Sequence, residues 1–475
     1  MPPELQTAFT LNLNLREAFE LQKAHSLQLR TSSPSERKDK LRRLKNIIES
    51  NEPAIFEALE KDLGKSEFEA ALSELYIVYS EIDFALKHLE SWMRPRKVSP
   101  ALSNIFSKNR IYYEPKGVCL VMAPWNYPFQ LLISPLISAI AAGNCVMLKP
   151  SEVSAHTSGV LTRIIGDNFE RREIACFEGD ASVAEDLLAL PFDHIFFTGS
   201  TQVGKVVMAA AARNLASVTL ELGGKSPVII GDDVNLEKAA SKIMWGKFIN
   251  AGQTCIAPDY VLIKAEQQDK FLELSRLALK ELYYSQGTLD EHSYGKIING
   301  RHFSRLTGLI DEAVTQGATI SAGGASIEDK QVIEPTLVSN VDPRSGLMQE
   351  EIFGPVLPVM IYKTLDDAIR FVNEKPKPLA LYIFSASDTF TNKIIGETSA
   401  GGTTVNDIAI HFANSSLPFG GTGASGMGGS HGFFGFRAFS HERAVTFQSA
   451  IDFNKLAYPP YGNKKGLMKW LKKFI

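Results

Sequence analysis

Short apolar runs alternate with helix-length segments through most of this chain, at 118–122, 145–148, 174–178, 194–197 and 218–220. Strands that alternate with helices build βαβ units, and these impose a mostly parallel sheet with both faces covered. The alternation begins again beyond Gly223-Gly224, with runs at 228–230, 260–264 and 356–361 around a helix near 236–250. The fold class that follows is α/β, with two doubly wound αβα lobes. At 475 residues, 44% of them hydrophobic, the chain has enough apolar mass for two such cores.

The N-terminal region carries helical spacing instead. Ser33-Pro34-Ser35-Glu36 is a capping box with proline at the first helical position, and Leu41, Leu44, Ile47 and Ile48 share one face up to Pro53. A break at 94–107 separates these helices from the strands. The glycine-dense stretch 420–435 reads as an ordered loop, because Phe419, Phe433, Phe434 and Phe436 call for burial.

Charge and cysteine usage narrow the function classes. Fifty Lys and Arg against 53 Asp and Glu leave a formal charge of −3, so no basic field exists to hold nucleic acid. Cys119, Cys145, Cys176 and Cys255 share no metal-ligand spacing, which predicts reduced thiols and no metal. Glu4, Arg16, Glu17 and Glu20 interrupt any leader-like apolar block. The most apolar stretch, 131–148, is broken by Pro135, Gly143 and Asn144 and suits a buried helix and strand. A cytoplasmic location is expected. The end, 451–475, carries Lys455, Lys464, Lys465, Lys469, Lys472 and Lys473, with Leu467, Trp470, Leu471 and Phe474 at helical spacing. This basic amphipathic tail either docks on the protein, the preferred reading, or makes peripheral contact with an anionic membrane.

Two glycine motifs invite a phosphate. The run 194–198 leads into Gly199-Ser200-Thr201-Gln202-Val203-Gly204-Lys205 and an alanine-rich helix, the strand, turn and helix order in which backbone amides meet a pyrophosphate. As a P-loop it fails, since Val206 stands where Ser or Thr should bind magnesium. A tight βα connection is its other reading. Gly421-Thr422-Gly423-Ala424-Ser425-Gly426 matches GxGxxG but follows no strand, so its match is a decoy.

Three polar residues stand out from their surroundings. Cys119, Cys145 and Cys176 lie in apolar strand patterns and read as core, whereas Cys255 sits in a polar glycine-containing loop. It is either a nucleophile or structural. Asn126, pinned in Pro124-Trp125-Asn126-Tyr127-Pro128, is a helix N-cap or a rigid amide donor toward an oxyanion. Glu221 closes the apolar run 218–220, where burial would raise its pKa toward that of a general base unless a lysine such as Lys225 pairs with it.

In sequence order, Pro124-Trp125-Asn126-Tyr127-Pro128, Lys149-Pro150-Ser151-Glu152, Phe197-Thr198-Gly199-Ser200, Glu221-Leu222-Gly223-Gly224-Lys225, Gly252-Gln253-Thr254-Cys255, Glu350-Glu351-Ile352-Phe353-Gly354-Pro355 and Pro418-Phe419-Gly420-Gly421 resemble the aldehyde dehydrogenase superfamily over nearly the whole chain. The Cys-Ile-Ala-Pro-Asp-Tyr continuation at 255–260 is similar to the class 3 branch, which includes fatty and aromatic aldehyde dehydrogenases.

The resemblance implies Cys255 as nucleophile, Glu221 as base, and an oxyanion hole from Asn126 and the Cys255 backbone N–H. It implies an NAD site at Trp125, Lys149, Ser151, Glu152, Gly199, Ser200, Gly204, Leu222, Glu351 and Phe353. In that site Lys149 and Glu152 meet the adenosine ribose, and Glu351 with Phe353 surrounds the nicotinamide ribose. Because Glu152 repels a 2′-phosphate, NAD is expected ahead of NADP. Tyr127, Trp245, Ile408 and His411 would wall the channel for an apolar aldehyde. The implied division is a NAD-binding domain at 1–93 and 113–221, a catalytic domain at 222–430, and bridging strands at 94–112 and 431–450 that join a homodimer.

The implied reaction is oxidation of an aldehyde to the acid through a cysteine thiohemiacetal and thioester. One rival passes the acyl group to coenzyme A, and Glu221 speaks against it because that chemistry needs water kept inactive. Another is a catalytically silent structural or membrane-surface relative, against which the intact Cys255, Glu221 and Asn126 set stands.

Overall fold

The computed structural model describes residues 3–101 and 106–450, with the backbone alone for 3–13, and residues 455, 458–462, 464 and 466. The architecture is α/β, with two parallel-sheet lobes and a small antiparallel unit. Val118–Met122, Cys145–Lys149 and His194–Thr198 are buried along their whole length, as strands covered on both faces must be. They form the middle of a six-stranded sheet ordered Gly426–Met427, Ser217–Glu221, His194–Thr198, Val118–Met122, Cys145–Lys149, Ile174–Cys176. All pairs are parallel except the Gly426–Met427 edge. Cys119, Val121, Val146 and Leu148 pack against the helices Pro34–Leu63, Tyr76–Met93 and Gln130–Ala142. Their neighbours Val118, Leu120, Cys145 and Met147 face Ala181–Leu188 and Thr201–Arg213, following the two-residue period of a strand.

The helix Pro34–Leu63 begins at the capping box read from the sequence. It does not stop at Pro53 but runs on to Leu63. Ile55, Leu59 and Leu63 continue the buried face of Leu41, Leu44 and Ile48, and that burial outweighs one missing N–H bond.

The second lobe holds a seven-stranded sheet ordered Thr319–Ala322, Thr336–Ser339, Val356–Tyr362, Tyr260–Lys264, Pro227–Ile230, Ala380–Phe384, Gly402–Val405, parallel except at its Thr319–Ala322 edge. A three-stranded antiparallel sheet of Arg96–Val98, Lys108–Pro115 and Ser440–Phe447 stands apart from both. The glycine-dense stretch is ordered and crosses between lobes: Gly426 and Met427 pair with Glu221 and Leu220. Phe419 and Phe436 are buried there, whereas Phe433 and Phe434 are half-buried.

Among the described residues no helix is long and apolar enough to cross a membrane, and no cluster of His, Cys, Asp and Glu could hold a metal. Leu467, Trp470, Leu471 and Phe474, on which the tail reading rests, lie outside the described residues.

Candidate active site

A cavity of ≈ 270 Å³ between the lobes is lined by Cys255, Glu221, Tyr127, Trp245, Ile408 and Phe412 among others. Cys255 reaches it through a strained turn. After the helix Leu236–Phe248, Asn250 and Ala251 take φ of 53° and 51°, and Gly252 follows at 74°. Left-handed backbone costs a residue with a side chain about 1–2 kcal/mol. At Gly252 it also admits Gly354, whose carbonyl oxygen would lie 2.3 Å from an added Cβ. Side chains hold the turn in place. Asn250 Nδ2 donates to Asn126 O at 2.8 Å, its backbone N–H donates to Glu69 Oε1 at 2.8 Å, and Gln253 Oε1 accepts from Ile298 N at 3.0 Å.

Burial pushes the Cys255 thiol up to about 12, with Glu351 and Glu221 adding to the effect and the backbone N–H groups of Cys255 and Ile256 opposing it. It is therefore a neutral thiol at rest. Cys119 and Cys145 are buried in the first lobe's strands, and Cys176 ends the strand Ile174–Cys176.

Asn126 is fixed from both sides. Its Nδ2 donates to Gln253 O at 2.9 Å, and next door the Tyr127 hydroxyl lies 2.7 Å from Thr254 Oγ1, so two bonds tie this segment to the cysteine loop. Behind it lies a fully buried pair that no local pattern announces. Lys65 Nζ donates to Glu74 Oε1 at 2.6 Å and to Asn126 O at 3.1 Å, and sits 3.9 Å from the Tyr127 ring centroid. The other Glu74 oxygen accepts from the backbone N–H groups of Phe129 and Gln130, at the start of the helix Gln130–Ala142. The ammonium and the helix end neutralise the carboxylate that orders the loop.

Glu221 ends the strand Ser217–Glu221 and is 4% exposed. Ser430 Oγ donates to its Oε1 at 3.1 Å, and its Oε2 has no hydrogen-bond partner among the described residues. Desolvation raises its pKa to about 8, against the Ser430 hydrogen bond. Lys225 does not pair with it. That lysine bonds Asp259, Leu347 O and Glu350 O, while Asp259 Oδ1 accepts from Ile352 N, so the pair pins the segment carrying Glu351. Glu351 in turn leans on Gly223, where an added Cβ would come within 2.2 Å of its Oε2. Burial, then Asp259, raises the Glu351 pKa to about 8. Phe353 holds φ 48° and stands edge-on to Trp125, with centroids 5.4 Å apart.

The remaining sequence candidates gather at the carboxyl ends of the first sheet. Lys149, 4% exposed, donates to Glu152 Oε2 at 2.9 Å, and Ser151 is buried beside it. Gly199 follows the strand His194–Thr198, Ser200 caps the helix Thr201–Arg213, and Gly204 makes room for Leu222, which would meet an added Cβ at 2.8 Å. Strand, glycine turn and helix N-terminus are thus in place where a dinucleotide pyrophosphate binds such sheets. The 421–426 motif lies instead at the sheet edge, where Gly426 pairs with Glu221.

The model of the aldehyde dehydrogenase family matches residues 11–445. The chain belongs to that family. It is 44% identical to the 4,4'-diaponeurosporen-aldehyde dehydrogenase of Staphylococcus aureus, over 97% of this chain and 99% of the relative. It is 43% identical to the dimeric NADP-preferring aldehyde dehydrogenase of Mus musculus, over 94% of this chain and 96% of the relative. A solved structure of Staphylococcus aureus AldH in a substrate-bound state superposes with a TM-score of 0.92 at 43% identity, covering 97% of this chain and 99% of that one.

In this aldehyde dehydrogenase, Tyr127, Trp245 and Ile408 line the cavity, but His411 does not. Its Nδ1 lies 2.7 Å from Thr404 Oγ1, its ring stacks on Phe419, and burial lowers its pKa to about 4. The histidine on the cavity wall is His431. Sequence reasoning passed over it, along with Lys65, Glu74 and Ser430. Only the glycine-dense stretch hinted at the last, by promising an ordered loop around buried phenylalanines.

Proposed function

We propose that this aldehyde dehydrogenase oxidises an apolar aliphatic or aromatic aldehyde to its carboxylic acid, with Cys255 as nucleophile and NAD, or secondarily NADP, as cofactor. The observation that carries the reading is the meeting of Cys255 and the half-partnered Glu221 carboxyl in one largely apolar cavity. The crevice suits a dinucleotide: Gly223 and Gly204 leave the backbone bare where Glu351 and Leu222 press against it. Lys149, Ser151 and Glu152 would hold the adenosine ribose, Gly199 and Ser200 the pyrophosphate, and Glu351, Phe353 and Trp125 the nicotinamide end. When bound, the nicotinamide supplies the hydride acceptor.

Each remaining step belongs to this chain. A thiol must lose its proton to add to a carbonyl, and the backbone N–H groups of Cys255 and Ile256 favour the thiolate that results. The oxygen turns negative as sulfur adds. Asn126 keeps a second amide N–H beyond the one given to Gln253 O, and with the Cys255 N–H it would hold that charge. Hydrolysis of the thioester then requires a deprotonated water, the task of Glu221.

The three-stranded sheet, open along Ser440–Phe447, is the surface through which two copies would pair. Four free cysteines, one of them the nucleophile, suit the reducing cytoplasm. The test is an aldehyde panel at fixed NAD, with products analysed with and without coenzyme A. Carboxylic acid in both arms supports the reading, an acyl-coenzyme A product transfers it to the acylating rival, and no reduction of NAD supports the silent one.

A further inference from the structure

The cavity has two unlike walls. Trp245, Ile408 and Phe412 make an apolar one. The helix Gln130–Ala142 is apolar except for Gln130, Ser134 and Ser138, and all three line the cavity, beside Leu131 and Pro135 of the same helix. Residues four apart share a helix face, so this is one polar stripe on an otherwise hydrophobic helix. Gln130 Nε2 donates to Ser134 Oγ at 3.3 Å, which satisfies part of it.

Glu81 joins the same cavity from the helix Tyr76–Met93. Its side chain is 6% exposed, and its Oε1 has no hydrogen-bond partner among the described residues. His431 comes nearest. Its Nδ1 lies 3.3 Å from that oxygen, outside hydrogen-bond geometry, and His431 itself is held at φ 71° against the Phe412 and Phe419 rings. A buried carboxyl whose nearest donor stands outside hydrogen-bond geometry is costly, and one on the wall of a ligand cavity marks a place where a ligand can supply a better donor.

We propose that the cavity selects aldehydes bearing a hydroxyl group remote from the carbonyl, with that hydroxyl donating to Glu81 while the carbonyl meets Cys255. This deepens the reading given under Proposed function and rests on it. Selectivity then follows from the unequal behaviour of the two kinds of wall. An apolar pocket accepts a methyl group and disfavours a hydroxyl, whereas a pocket built to bond a hydroxyl rejects the analogue without it. Ser430, beside His431 in sequence, bonds Glu221, so the loop that contacts Glu81 also carries the donor to the deacylation base.

The experiment compares near-isosteric pairs in kcat/KM on the full chain with NAD: 3- and 4-(hydroxymethyl)benzaldehyde against 3- and 4-ethylbenzaldehyde, and 8-hydroxyoctanal against nonanal. The wild type is expected to favour the hydroxylated member of at least one pair by about ten-fold or more. Glu81→Leu should reverse that preference, with kcat/KM for the ethyl compounds falling less than for the hydroxylated ones, since an apolar tail makes no bond to Glu81. Glu81→Gln, which keeps an acceptor oxygen and the shape, should retain part of the preference, and it decides the matter if Glu81→Leu does not fold. A wild-type preference for the apolar member of every pair, or the same ratio in wild type and Glu81 variants, overturns the proposal and leaves the dehydrogenase reading intact. Failure to oxidise any of these aldehydes overturns the dehydrogenase reading instead.

Discussion

Ser430 Oγ donates a 3.1 Å hydrogen bond to one oxygen of Glu221, and the other oxygen of that carboxyl is buried without a partner among the described residues. Half-partnered in this way, the group is a weak acid at rest and a strong acceptor once ionised. With its pKa raised to about 8, the base form accumulates only above that pH. The rate of thioester hydrolysis should therefore climb with pH through about 8 and level off beyond it. Ser430→Ala removes a bond that lowers the pKa, so the midpoint should move alkaline, by up to about one pH unit. Glu221→Gln should release an initial burst of NADH and then stall. Stopped-flow pH profiles of the three proteins check these outcomes.

The same shift makes a prediction about stability. Below pH 4.5 the Glu221 carboxyl is protonated in both the folded and the unfolded chain and costs nothing. Between 4.5 and about 8 the unfolded chain ionises it while the fold keeps it neutral, so the penalty grows with pH and is complete above about 8. Glu221→Gln removes that penalty. Its gain in melting temperature over wild type should be larger at pH 8 than at pH 5, as calorimetry at the two pH values would show.

Lys65 should matter to catalysis although it does not face the cavity. Its ammonium holds the Asn126 carbonyl and Glu74 together, so Lys65→Met should lower kcat by about 10²-fold through misplacement of the amide. Stability should fall as well, by about 3–5 kcal/mol, because Glu74 is left buried without its counter-ion. The decisive comparison is with Asn126→Ala, itself expected to lose about 10²–10³-fold. In that background Lys65→Met should cost little further kcat, whereas a general loss of fold would multiply the two losses.

The proposed cofactor site contains a half-neutralised acid. On the proposed reading Glu152 would repel a 2′-phosphate, yet Lys149 bonds it at 2.9 Å and its side chain is 46% exposed, which screens the repulsion. Glu152→Gln should raise the NADP-to-NAD ratio of kcat/KM by roughly three- to ten-fold. Initial rates with both cofactors measure it.

What the sequence disclosed followed from locality. Continuous apolar runs such as 118–122 announce buried parallel strands, and Cys255 differs from the other cysteines by the polarity of its immediate neighbours. Lys65 and Asn126 are separated by 61 residues, and no pattern along the chain records that two helices bring them together. The exchange of His411 for His431 has the same origin, since only the tertiary placement of Thr404 and Phe419 turns the first histidine away. Pro53 misled in the opposite direction: its effect on the helix is local, and the burial of Ile55 and Leu59 that overrides it is not.

The proposed mechanism requires a bond between the Cys255 sulfur and the acyl carbon of the substrate. Glu221→Gln mixed with NAD and 4-ethylbenzaldehyde, quenched in acid during the burst and digested, should yield a Cys255 peptide heavier by one 4-ethylbenzoyl group, in amount equal to the NADH released. A stoichiometric burst of NADH with that peptide unmodified would contradict it.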